Sequence, residues 1–177
     1  MTILKIARMG HPVLRAPAQP VADPTTPDLR RLVRDMAATL EEAGGVGLAA
    51  PQVHEAVRLF IFFVPAARDP GGLARPLMAV FNPVLTPLGP ERETGWEGCL
   101  SVPGLRGAVP RYKKVRLSGQ DNEGRLVDEV LSGFAARVAQ HEADHLDGVL
   151  YPARVEDFAA FGYSEELERH PYISNHG

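Results

Sequence analysis

Two imidazoles and a carboxylate share one short string, Gln140-His141-Glu142-Ala143-Asp144-His145. On a helix, residues four apart lie one turn above each other, so His141 and His145 would converge on a single ion. Glu142, adjacent to the first histidine, would reach a water on that ion without binding the ion itself. Phe134 and Val138 continue the same helical face toward its start, which turns both histidines toward the interior. Neutral imidazoles facing an apolar interior need partners, and a divalent metal supplies one. The plainer alternative is a pair of hydrogen-bonded core histidines.

A hydrolytic metal needs a third protein ligand and an open position for water. Downstream, Glu156, Glu165, Glu166, His170 and His176 are candidates, all in a stretch without helical pattern. Upstream stands Cys99, the single thiol, within Trp96-Glu97-Gly98-Cys99-Leu100-Ser101-Val102-Pro103. A lone cysteine is more often a small buried hydrophobe than a ligand. Residue types alone leave that choice open. One cysteine also rules out an intrachain disulfide and fits a reducing compartment.

The elements that must carry these groups follow from periodicity and punctuation. Ser132 is the expected N-cap of the histidine helix, which runs to about Leu146 and stops at Gly148. An earlier helix is predicted after Pro27, with Asp28 as N-cap, apolar Leu29, Leu32, Val33, Met36 and Leu40 at helical spacing, and Gly44-Gly45 as its end. Residues 1–27, with five prolines after position 11, read as an extended arm. Strands are predicted over 57–64 and 78–85, a surface loop over 65–76, and a hairpin joining 115–117 to 126–127 through Asp121-Asn122-Glu123-Gly124. Residues 153–177 read as an irregular tail. The expected fold is α+β, a single domain over 1–177, with antiparallel or mixed β-sheets around a central helix carrying the His-Glu-x-x-His motif. A hydrophobic share of 45% with 23% charged residues is ordinary for a globular chain. The net charge of −3 offers no general attraction for nucleic acid or anionic membrane, and no apolar run approaches a membrane span. With no secretory h-region at the start, a cytoplasmic location is expected.

Three separated strings carry a family resemblance. They are Gly45-Val46-Gly47-Leu48-Ala49-Ala50-Pro51-Gln52, Glu97-Gly98-Cys99-Leu100-Ser101, and Gln140 through Gly148. In type, order and separation the chain resembles the peptide deformylases, and the 95–105 stretch is especially similar to the branch shared by organellar and some bacterial members. The resemblance implies Cys99, His141 and His145 as metal ligands and Glu142 as acid and base. It implies Gln52, with the backbone N–H of Leu100, as oxyanion donors. It further implies one divalent metal per chain, usually Fe2+, with Ni2+ or Co2+ as substitutes and Zn2+ in some members. The implied substrate is the N-formylmethionyl end of a nascent peptide, from which formate is released. Some members end in a basic helix thought to dock on the ribosome; the tail here carries no net positive charge, which weakens any such transient contact.

The chemistry of the residues runs parallel to that resemblance. Gly45 and Gly47 permit close approach of the Gln52 segment, and Pro51 keeps Ala50 extended. Val46, Gly47, Gly98, Phe134 and Val138 are candidates to line the pocket for the first side chain, with Trp96 as a wall. Asp144 or Glu97 is a candidate to orient a ligand histidine. His11, His54, His170 and His176 have no supporting neighbours and are expected in solvent. Two rivals remain: a metallopeptidase cutting internal bonds, and a closed structural zinc module with His170 or His176 as fourth ligand.

Overall fold

In the computed structural model, which describes residues 1–68 and 74–172, a helix lies between two antiparallel sheets. The elements are α1 (Pro27–Ala43), β1 (Gly47–Ala49), β2 (Leu59–Val64), β3 (Arg75–Pro87), β4 (Arg92–Cys99), β5 (Val102–Tyr112), β6 (Lys114–Gln120), β7 (Leu126–Ser132), α2 (Gly133–Leu146), β8 (Phe161–Tyr163) and α3 (Ser164–Arg169). One sheet runs β1-β2-β3-β6-β7 and the other β4-β5-β8. The architecture is α+β, as the order of expected helices and strands implied.

β2 shows why the larger sheet is covered on both faces. Its alternate residues Phe60, Phe62 and Val64 join Leu117, Leu131 and Ala139 in the core beneath α2. Leu59 and Ile61 point the other way and pack with Met36 and Leu40 of α1. Burying each such side chain contributes roughly 1.5–3 kcal/mol, so a strand buried on both faces anchors both helices. A third, smaller core of Val102, Val109, Tyr151 and Val155 lies under the β4-β5-β8 sheet. The polypeptide enters α2 through Gly133, whose φ of 56° is left-handed and strains any residue with a Cβ. Ser132 holds the N-cap position, although its hydroxyl makes no capping bond.

Four expectations need correction. The first helix is capped by Thr26, not Asp28: Thr26 accepts the Leu29 N–H at 3.4 Å, and Pro27 opens the helix, where its missing N–H costs nothing. The first expected strand begins at Leu59, and the second extends over Arg75–Pro87. Of the expected 65–76 loop, Ala66–Arg68 form a 3-10 turn and residues 69–73 lie outside the described residues. The tail is not irregular throughout. Tyr151–Arg154 and Phe158–Ala160 are 3-10 turns, β8 pairs with β5, and α3 follows; residues 173–177 lie outside the described residues. Three-residue strands and six-residue helices are too short to show a period, which is why the pattern missed them.

The N-terminal arm carries one 3-10 turn at Pro12–Leu14. Its backbone ties it to the loops beside the histidine helix. Ala7 N–H donates to the Gln52 carbonyl at 2.7 Å, Met9 N–H to Ser101 at 2.8 Å, and Ala18 N–H to Leu146 at 2.8 Å. Among the described residues no helix is long and apolar enough to cross a membrane.

Candidate metal centre

Helix α2 presents His141 and His145 one turn apart, their rings edge to face with centroids 5.1 Å apart. β4 ends at Cys99, immediately before the Leu100-Ser101 turn into β5, and brings its thiol to 3.3 Å from His145 Nε2. One ligand atom from each of Cys99, His141 and His145 lies within 4.8 Å of the other two. A sulfur and a nitrogen bound tetrahedrally to one ion stand roughly 3.5 Å apart, so this spacing and this donor set fit a first-row divalent metal. Among the described residues this is the only such group, and it offers three ligands. His170 lies 4.0 Å from Glu166 on the exposed α3, away from the group, and His176 is outside the described residues. His11 and His54 are exposed but do have a neighbour, each other, edge to face at 4.7 Å.

Glu97 organises this centre from behind. Its carboxylate accepts from Arg111 Nε and Nη2 at 3.0 Å each and from Arg137 Nη1 at 2.9 Å, and it meets His141 Nδ1 at 2.9 Å. Burial opposes ionisation of Glu97, but the hydrogen bonds from His141 and Arg111 outweigh it and hold the carboxyl down at about 2. A permanent carboxylate on Nδ1 keeps the proton there and leaves Nε2 of His141 for a metal. Of the two acids expected to orient a histidine, Glu97 does so and Asp144 does not. Asp144 instead accepts from Arg111 at 2.6 Å and Arg154 at 2.7 Å, holding the arginine that holds Glu97. Tyr151 stacks on His141 with centroids 6.0 Å apart. Burial lowers the basicity of His145, whereas contacts with Cys99 and Glu97 overcome burial and raise that of His141.

Glu142 is buried, and burial pushes its carboxyl up to about 7. Its Oε2 has no hydrogen-bond partner among the described residues. An orphaned buried oxygen adjacent to a metal-type ligand set is the mark of a group kept for proton traffic rather than for packing. Gln52 sits in the 3-10 turn Ala50–Val53, with Oε1 accepting the Ala49 N–H at 2.8 Å. Its Nε2 points to Ser101 Oγ at 3.1 Å and Cys99 Sγ at 3.5 Å, so the amide hydrogens face the thiol. A cavity of about 480 Å³ opens over these groups. Val46, Gly47, Gly98, Leu100, Phe134 and Val138 line it, together with Trp96. Gln52 and Glu142 line the same cavity, as do Cys99 and His141, and His145 completes the ligand group.

Arg111, Arg137 and Tyr151 escaped the sequence reading, and Ser101, although part of the middle string, had been given no role. Arg111 is fourteen residues from Glu97, and only the β4-β5 pairing brings the two together. Two charges of opposite sign on adjacent strands were the available signal, but neither strand was recognised.

A cysteine and two histidines around a buried, partly neutralised glutamate, on a helix clasped by two sheets, define a metal-dependent hydrolase. The profile of the polypeptide deformylase family matches residues 3–160, and the chain belongs to that family. It is 52% identical to peptide deformylase 1 of Bordetella pertussis, over 92% of this chain and 93% of that one. It is 48% identical to peptide deformylase 2 of Ralstonia nicotianae, over 93% and 94%. The class I type b peptide deformylase of Acinetobacter baumannii, solved with bound Met-Ala-Ser, superposes with a TM-score of 0.81 at 37% identity, covering 87% of this chain and 99% of that one. The same Acinetobacter enzyme bound to actinonin gives 0.78 at 35% identity, covering 88% and 100%.

Proposed function

We infer that this chain removes the formyl group from the N-terminal formylmethionine of newly made polypeptides and releases formate. The observation that carries this reading is Glu142, buried between His141 and His145, with an unpartnered oxygen on the wall of a peptide-sized cavity. A divalent ion held by Cys99, His141 and His145, ferrous iron in this reading, would lower the pKa of a bound water and polarise the formyl oxygen. Glu142 takes the proton of the attacking water and returns it to the departing amine nitrogen, a role suited to a carboxyl near neutrality. Gln52 Nε2 and the Leu100 N–H donate to the oxygen on which negative charge develops. Val46, Phe134 and Val138 receive the methionine side chain, and Gly47 and Gly98 leave room for the backbone.

The substrate class is supported by the Met-Ala-Ser peptide held in the Acinetobacter relative. A cytoplasmic site of action follows from the need to meet nascent chains. Contact with the ribosome would be transient and would not run through α3 as a basic surface, because α3 carries Glu165, Glu166 and Glu168 against Arg169 alone. The test is formate release from formyl-Met-Ala and acetyl-Met-Ala by anaerobically purified protein. An acetyl methyl must fit where Gly47, Leu100 and Gln52 crowd the carbonyl, and misplacing a reacting group by about 1 Å costs roughly 10²-fold. At least that preference for the formyl peptide is expected. Equal turnover of both, or cutting of casein, would transfer the reading to a peptidase.

A further inference from the structure

β4 is an edge strand of its sheet, and the chain reverses at Leu100-Ser101 directly after Cys99. A peptide whose first residue lies at the metal-type centre therefore has edge only from Cys99 back toward Trp96. Arg137 closes the edge beyond, donating to the carbonyls of Glu93 at 2.5 Å and Gly95 at 3.4 Å. The free edge is thus residues 96–99, enough for a short added strand.

Side chains of an extended peptide alternate between the two faces of the sheet it joins. On β4, Glu97 and Cys99 face α2. Trp96 and Gly98 face outward, since a Cβ built on Gly98 would sit 3.8 Å from Arg106 Cγ on the paired strand. The pocket for the first side chain, with Phe134 and Val138 of α2, is on the inner side. The second and fourth side chains must then project outward. The distance from Cys99 to Trp96, three residues or roughly 10 Å, equals that from a peptide's first residue to its fourth.

That outer face is not bare. Arg106 pairs with Gly162 of β8, and Leu167 of α3 packs over Gly162. Between them lies a cavity of about 140 Å³ lined by Trp96, Arg106, Leu167, Glu168, Pro171 and Tyr172. Trp96 and Arg106 also line the larger cavity over Glu142, so these two side chains form a wall common to both spaces. Resting on the deformylase reading, we propose that residues 161–172 wall a second subsite, which takes an apolar side chain from an even-numbered residue of the nascent peptide. The C-terminal segment is then a specificity element for sequence downstream of methionine.

The experiment measures kcat/KM on formyl-Met-Ala-Ala-Ala and on its derivatives with leucine at position two, three or four. In the wild type, leucine at two or four should raise kcat/KM roughly fivefold through KM, as partial burial of one leucine would give. Leu167→Ala and Tyr172→Ala, made separately, should each lower the ratio of the leucine peptide to the alanine parent toward one. The position-three ratio should be unmoved by either. An undiminished even-position gain in both variants, or no gain in a wild type that turns over all four peptides, overturns the subsite alone. No formate from any peptide overturns the deformylase reading and the subsite with it.

Discussion

Cys99 is the one ligand of the proposed set that comes from a strand, and the helix cannot replace it. Two imidazoles and waters make a weak site, so Cys99→Ala should lose most of the bound metal, measured by elemental analysis after gel filtration. Full metal content and activity in that variant would move the third ligand elsewhere. Glu142→Ala should separate chemistry from binding. Its metal content should stay near that of the wild type while kcat falls by roughly 10²–10⁴-fold, since proton transfer is lost in both directions. An empty site in Glu142→Ala would instead make this carboxyl structural. Gln52 belongs to the same scale. With Oε1 pinned by Ala49 and Nε2 turned to Cys99 and Ser101, Gln52→Leu should cost about 10²–10³-fold in kcat with metal retained.

At the scale of elements, the site depends on β1 lying against α2. Gly47 is where they touch: a Cβ there would collide with Oε1 and the carboxyl carbon of Glu142. Gly47→Ala must push β1 away or turn Glu142 aside, and it should reduce kcat/KM by roughly 10²-fold with the fold and metal preserved. Wild-type kinetics with an unchanged circular dichroism spectrum would show that the strand yields without cost. Helix α2 was legible in the sequence because its histidines, its apolar face and its start at Ser132 agree with one another. β4 and β5 were not. Arg92-Glu93-Thr94-Gly95-Trp96-Glu97-Gly98 puts a charged residue on the buried face and two glycines in a strand, the reverse of the usual alternation. The inversion has a physical reason: the buried acid is the group that orients His141, so the chemistry disguised the element that carries it.

At the scale of the molecule, one ionic cluster joins the smaller sheet to α2. β4 supplies Glu97, β5 supplies Arg111, and α2 supplies Arg137, His141 and Asp144. Removing one partner from such a buried set leaves the others uncompensated, a costlier change than the loss of any surface pair. The folded carboxyl of Glu97 sits at about 2, below its ordinary value of 4.5. A depressed carboxyl contributes stability that is complete above the unfolded value and is lost as the pH falls through the folded one. The metal-free protein, held in chelator so that ligand loss does not intrude, should therefore lose stability steadily from about pH 4.5 to about pH 2. Glu97→Gln should be less stable than the wild type at pH 7, because Arg111 keeps its burial and loses one of its two charge partners, retaining only Asp144. The gap between the two proteins should narrow across that same acid window, as the wild-type carboxyl gains its proton and becomes a neutral group like the amide. Urea midpoints at pH 7, 4 and 2.5 test this directly. A gap that stays constant from neutral to acid pH would mean that Glu97 steadies the two layers by its shape and not by its charge.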